Sequence, residues 1–194
     1  LNDSASIPEM KTMAVDMLKY GAAAQVNFDY DTDNLVTAEL TEEQLAYATQ
    51  EIPEAVDSSA ITGDGANVNM NITVKSRVEL NLSCIVAGLA NPAGVKCVIT
   101  DLDGNVLAEL ATVNIGGVMY SATYDNVGAK QMRNVITATF YDADGNAISK
   151  TVNWSVESYV AQTRAKETAT ANEVAVVNAM LIYGDSVAAY MSAK

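Results

Sequence analysis

Three aspartates alternate in "DYDTDN": Asp29, Asp31 and Asp33 stand at the first, third and fifth places of a calcium loop. A calcium loop needs a glycine at its sixth place and a glutamate at its twelfth. Here Asn34 and Leu40 occupy those places, with Glu39 one position early. The stretch also follows a helical pattern, and the negative end of a helix dipole disfavours three carboxylates. A solvated loop is the expectation, and calcium is the one cofactor left open. "DLDGN" at 101–105 and "DADGN" at 142–146 also resemble paired metal loops. Asp-Gly between alternating apolar runs is, however, a strong hairpin signal, because glycine supplies the positive φ of a tight turn. Both are read as hairpin turns. Histidine is absent, so neither a Ser–His–Asp system nor His-ligated zinc can be built from this chain. Catalysis would have to use carboxylates, Lys or Tyr, and no Gly-rich phosphate loop or Gly-x-Ser-x-Gly elbow is present. The chain is not expected to be an enzyme, and no catalytic residue is assigned.

Cys84 and Cys97 could lie opposite one another if their strands form a hairpin turning at "GLANPAG", pairing Leu82 with Ile99 and Val86 with Val95. A bond there could contribute about 3 kcal/mol in the chain-entropy view. Buried thiols also pack as small hydrophobes, and reduced cysteines are favoured.

A longer echo organises the chain. "MLKYGAAAQ" at 17–25 returns as "MLIYGDSVA" at 180–188, 163 positions on. The first copy lies in an apolar stripe of Met13, Met17, Tyr20, Gly21, Ala24 and Phe28; the second lies in Val176, Met180, Tyr183, Gly184, Val187 and Met191. Steps of three and four predict two helices. "SIPE" offers Ser6 and Glu9 as a capping box for the first, and "TANE" offers Thr170 and Glu173 for the second. Glycine inside a helix costs about 1 kcal/mol against alanine. Gly21 and Gly184 are therefore expected to mark where the helices pack together, flanked by Tyr20 and Tyr183. A ligand cleft between the tyrosines is the sharper alternative. "TEEQLAYA" from Thr41 and "WSVESYVAQTRAK" from about Ser155, with Val156, Tyr159 and Val160 on one face, predict shorter helices. Residues 50–66 read as a connector.

From about 67 the period changes to two. "VNMNITV", "VELNLSCIVAG", "VKCVIT", "NVLAELATV", "VMYSATY", "NVITATFYD" and "AISKTVNWSV" alternate between Gly, Asn and Asp turns, the rhythm of an immunoglobulin-like sandwich. The expected fold is α+β: an antiparallel sandwich at 67–154, inserted between helical segments at 1–66 and 155–194 that pack together as one layer. Trp154 is expected to seal the sandwich against that layer.

Net charge is −13 over 194 residues, and twelve acids against Lys11 and Lys19 fall in residues 1–60. Such a surface repels phosphate backbones and anionic lipid, so nucleic acid is excluded as a partner. No apolar run approaches the roughly eighteen residues of a membrane span, so no insertion is expected. Leu1 is not an initiating residue, and the chain is read as a piece of a longer protein.

"MLKYGAAAQVNFDYDTDNLVTAELTEEQLAYA", "ITATFYDADGNAISKTVNWSVESYVAQ" and "VVNAMLIYG" together resemble a module of large secreted or cell-surface proteins from gut-dwelling Gram-positive bacteria. In that module a "YGAAAQ" helix precedes a β-rich part and a closing helix. The resemblance implies an extracellular, non-catalytic accessory module for adhesion, spacing or presentation, whose partners are other domains of its polypeptide or a surface protein. The alternative is a glycan-binding module, which would draw on Tyr120, Tyr124 and Tyr141 of the β-region.

Overall fold

The structure, a computed structural model, describes residues 7–28, 68–74, 78–89 and 91–194. Asp29, Asp31, Asp33, the "TEEQLAYA" segment and the 50–66 connector lie outside the described residues. The chain divides into a helical unit and a sheet unit.

The described helical unit contains α1 (Pro8–Asn27), α2 (Val156–Ala165) and α3 (Ala171–Ser192), with a short 3-10 turn at Ala129–Gln131. Thr170 caps α3 as its sequence predicts. Its hydroxyl accepts from the Glu173 amide at 3.1 Å, and the Glu173 carboxylate accepts from the Thr170 amide at 2.7 Å. The start of α1 differs from expectation. Ile7 is the N-cap and makes no side-chain cap, with Pro8 in the first turn. Proline's preset φ and missing N–H suit the first helical position, which places the boundary one residue beyond Ser6. α1 and α3 pack antiparallel, as successive partners show: Tyr20 with Tyr183, then Asp16 with Ser186. By length and composition α3 could also cross a bilayer. In this unit it is the central helix, burying Val177, Ala179, Met180, Leu181 and Gly184 among its neighbours.

The sheet unit holds β1 (Val68–Val74), β2 (Val78–Ile85), β3 (Lys96–Asp101), β4 (Val106–Ala111), β5 (Val113–Asn114), β6 (Met119–Val127), β7 (Ile136–Tyr141) and β8 (Val152–Trp154). They form two four-stranded antiparallel sheets, ordered β1-β2-β6-β5 and β4-β3-β7-β8. Alternation buries one face of each. Val78, Leu80, Leu82, Cys84, Tyr120, Ala122 and Tyr124 line the first; Cys97, Ile99, Ala138, Phe140, Val152 and Trp154 line the second. Trp154 ends β8, paired with Ile136.

Three sequence readings change. The single strand expected at 105–113 is two: β4 belongs to one sheet and β5 to the other, broken at Thr112, whose hydroxyl donates to the Val95 carbonyl at 2.8 Å. Alternation carries straight through such a switch because each half is read against its own sheet. The hairpin joining Cys84 to Cys97 does not form, because β2 pairs with β1 and β6 while β3 pairs with β4 and β7. Residues 129–133, expected within the β-region, belong to the helical unit.

Candidate functional site

The repeated phrase does bring its tyrosines together. The rings of Tyr20 and Tyr183 stack with centroids 6.3 Å apart and planes 13° from parallel. Near-parallel rings at this spacing are an offset stack, so the two tyrosines contact each other. Burial raises the Tyr20 hydroxyl above its ordinary pKa.

The glycines do not share that contact. Gly21 is exposed, and a Cβ built on it meets nothing within 4 Å. Gly184 is buried, and its Cβ would stand 2.7 Å from Met132 Sδ and 3.0 Å from the Ala129 carbonyl oxygen. It accommodates the 129–132 turn rather than α1. The expected stripe on α1 is displaced as well: Met17 and Phe28 are exposed, while Val15 and Asp16 are buried. Apart from the stacked tyrosines, equivalent residues such as Gly21 and Gly184 therefore meet different surroundings. The echo is one of packing at the tyrosines only.

Beside the tyrosines runs a chain of polar contacts that sequence reading missed. The Ser186 hydroxyl donates to the buried Asp16 carboxylate, and Lys19 Nζ lies 3.6 Å from the other oxygen of that carboxylate. One residue along α3, Asp185 takes the Arg133 guanidinium as a fork. Nε donates to Oδ1 at 2.6 Å and Nη2 to Oδ2 at 2.7 Å, while Nη1 donates to Glu157 at 2.5 Å. The hydrogen bond to Asp185, followed by the two neighbouring carboxylate charges, holds Arg133 still more firmly protonated than usual. This ties the 129–133 turn to both α2 and α3. Next to it, Pro8, Glu9, Thr12, Asp185, Ser186 and Ala189 line an open cleft of roughly 380 Å³. No sequence motif marks these residues, because Asp16 and Ser186 are 170 positions apart and only the helix pairing joins them.

Asp16 already accepts one hydroxyl proton and faces one ammonium, and the Arg133 donors facing its two carboxylates are taken up internally. Thr12, on the cleft wall, turns its hydroxyl back to the Pro8 carbonyl at 3.2 Å.

The Asp-Gly stretches form turns, as read. In each, the first aspartate's Oδ1 accepts from two backbone amides: Asp103 and Asn105 at 3.0 and 2.9 Å, and Asp144 and Asn146 at 2.9 and 2.8 Å. Gly104 and Gly145 both take φ near +85°. The Asn105 side-chain amide and then its backbone amide lower the Asp101 pKa, and Asn146 does the same for Asp142. These carboxylates bind their own loops.

Among the tyrosines considered for sugars, Tyr120 and Tyr124 are core residues, 2% and 6% exposed, and only Tyr141 reaches the surface. The outward face of β2 and β6 instead carries Asn81, Ser83, Ser121 and Thr123. Exposed Ile85 and Val113 lie alongside, with Thr123 donating to Asn81 at 2.9 Å. Cys84 and Cys97 are thiols, both fully buried. Burial pushes Cys84 up to about 11. Burial and then the charge of Cys84 push Cys97 up to about 12.

No family model, curated protein or solved structure matches the chain. The reading of its function therefore stands on the strand arrangement, the polar chain on α3 and the chemistry of the surface.

Proposed function

We propose that the chain is a non-catalytic accessory module of a larger extracellular or cell-surface bacterial protein, serving adhesion, spacing or presentation, with an immunoglobulin-like sandwich as its sheet unit. The observation that carries the reading is the strand order. An immunoglobulin-type sandwich places strands A, B, E and D on one sheet and C, F and G on the other, with an added C′ beside C. Taken in sequence order, β1-β2-β6-β5 corresponds to A-B-E-D and β4-β3-β7-β8 to C′-C-F-G. Each sheet buries one face within a unit made only of these strands and their connections, which supports packing of one face on the other. Folds of this kind host many functions, so the functional half of the proposal rests on the sites. In the helical unit Asp16 is committed to Ser186 and Arg133 to Asp185 and Glu157, while buried Thr163 Oγ1 and Asn178 Oδ1 have no hydrogen-bond partner. Asp101 and Asp142 are committed to their turns.

The partners in this reading are neighbouring domains of the same polypeptide or a surface protein, without nucleic acid, membrane insertion or a required cofactor. A panel of glycosidase, esterase and peptidase substrates tests it, together with a glycan array on the whole chain. No turnover is expected. Retention on defined glycans would move the reading to a sugar-binding module. Turnover abolished by Ser186→Ala or Asp16→Asn, in variants that still fold, would overturn it.

A further inference from the structure

Cys84 is the last residue but one of β2, and Cys97 is the second residue of β3. The chain between them crosses from one sheet to the other through the 3-10 turn at Pro92–Gly94. Both cysteines therefore sit at the same end of the sheet unit, one residue in from the strand ends that flank a single crossing. Both point to the buried side, and neither has any exposed surface. Cys84 pairs across its sheet with Tyr120, and Cys97 pairs with Phe140, two of the largest fully buried side chains.

We propose that Cys84 and Cys97 form a bridging site: when the chain folds in the presence of a small-molecule disulfide, they join in an S–S bond that staples β2 of one sheet to β3 of the other. The exchange balances. A thiolate of one cysteine attacks the oxidant's disulfide and releases one half as a thiolate. The thiolate of the second cysteine then attacks the mixed disulfide and releases the other half, and the two protons given up by the cysteines end on the two released thiols. Two protein thiols are oxidised and one oxidant disulfide is reduced. The inference rests on the face-to-face sheet packing of the immunoglobulin-like reading, but not on the role proposed for the module.

Burial also sets when the bond can form. Exchange runs through the thiolate and requires access to it. In the native protein both sulfurs are inaccessible and held protonated, with pKa values of about 11 and 12. Oxidation therefore belongs to the interval before the sheets close, and the native protein keeps whichever state it folded in. The core acts as a record of the redox conditions of folding.

The test uses the whole chain with oxidised and reduced glutathione. One sample is unfolded in urea and refolded in the mixture; a second is left native in the same mixture for the same time. The refolded sample is expected to lose the mass of two hydrogens and to show no reactive thiol in denaturant. It should regain the circular dichroism of the starting protein and melt at a higher temperature. The native sample is expected to keep both thiols. The bridge is refuted if the refolded protein regains its native spectrum with both thiols intact or carrying glutathione, or if the bridged chain does not regain that spectrum. Equally fast bridging of the native sample would refute the protection of the folded state.

Discussion

At the scale of single residues, Gly21 and Gly184 make opposite predictions from the same sequence phrase. Gly184→Ala drives a Cβ to 2.7 Å from Met132 Sδ and 3.0 Å from a backbone oxygen. The thioether can move, but the carbonyl of Ala129 is held by its turn. Overpacking of this sort destabilises by about 1–3 kcal/mol, to be read from urea unfolding. Gly21→Ala meets open space within α1. Removing an entropically costly helical glycine should be neutral or stabilise by up to about 1 kcal/mol. If both variants lost stability equally, the assignment of Gly21 to the outer face would be wrong. Asp101 and Asp142 predict an acid response. Their folded pKa values lie below the ordinary 3.8, so each contributes stability that is fully present above the unfolded value and is lost as pH falls through the folded one. Asp142→Asn keeps an acceptor for the turn but no longer titrates there. The fall in urea midpoint below about pH 4 should be shallower than in the parent, with little change at neutral pH.

At the scale of elements, the 129–133 turn is the piece that sequence reading did not place. Its Arg133 reaches Asp185 on α3 and Glu157 on α2, and the Glu157 amide donates to the Met132 carbonyl at 3.1 Å. Arg133→Ala leaves two carboxylates facing each other without their cation. Since the guanidinium is 38% exposed on its side chain, the loss should be about 1–2 kcal/mol, at the lower range of charged hydrogen bonds. Arg133→Lys should recover only part of it, because an ammonium cannot reproduce the fork. Salt should shrink the gap between Arg133→Ala and the parent in thermal melts. The helices and most strands were legible because their periods and caps are local: Thr170 and Glu173 are three residues apart, and Leu80, Leu82 and Cys84 alternate in one run. The strand switch at Thr112, the non-pairing of β2 with β3, and the Asp16–Ser186 contact were not legible. Each depends on which distant segment lies opposite, and alternation or helical spacing carries no such information. The α1 stripe failed for a related reason. Met17, Gly21 and Phe28 form a face by spacing, but α3 packs against the side bearing Val15 and Asp16.

At the scale of the whole molecule, the chain is threaded between its units rather than laid out as beads. It passes from sheet to helices and back around residues 129–133, then returns to the helices after Ser155. The turn that beds Gly184 is thus held at both ends by strands, with β6 ending at Val127 and β7 starting at Ile136. Unfolding the sheet unit would free those ends, and the helical unit would have to pay the closure entropy of the turn alone. Melting of the helices should consequently track melting of the sheets. Trp154, buried at the end of β8, reports the sheet unit by fluorescence, and circular dichroism at the helical band reports mainly α1 and α3. The two urea transitions should superimpose, which is the test of a single cooperative change. Gly184→Ala should then lower both midpoints by the same amount, although residue 184 belongs to the helical unit alone. A shift confined to the helical signal, with the Trp154 transition unmoved, would show that the threading couples the units only through the covalent chain.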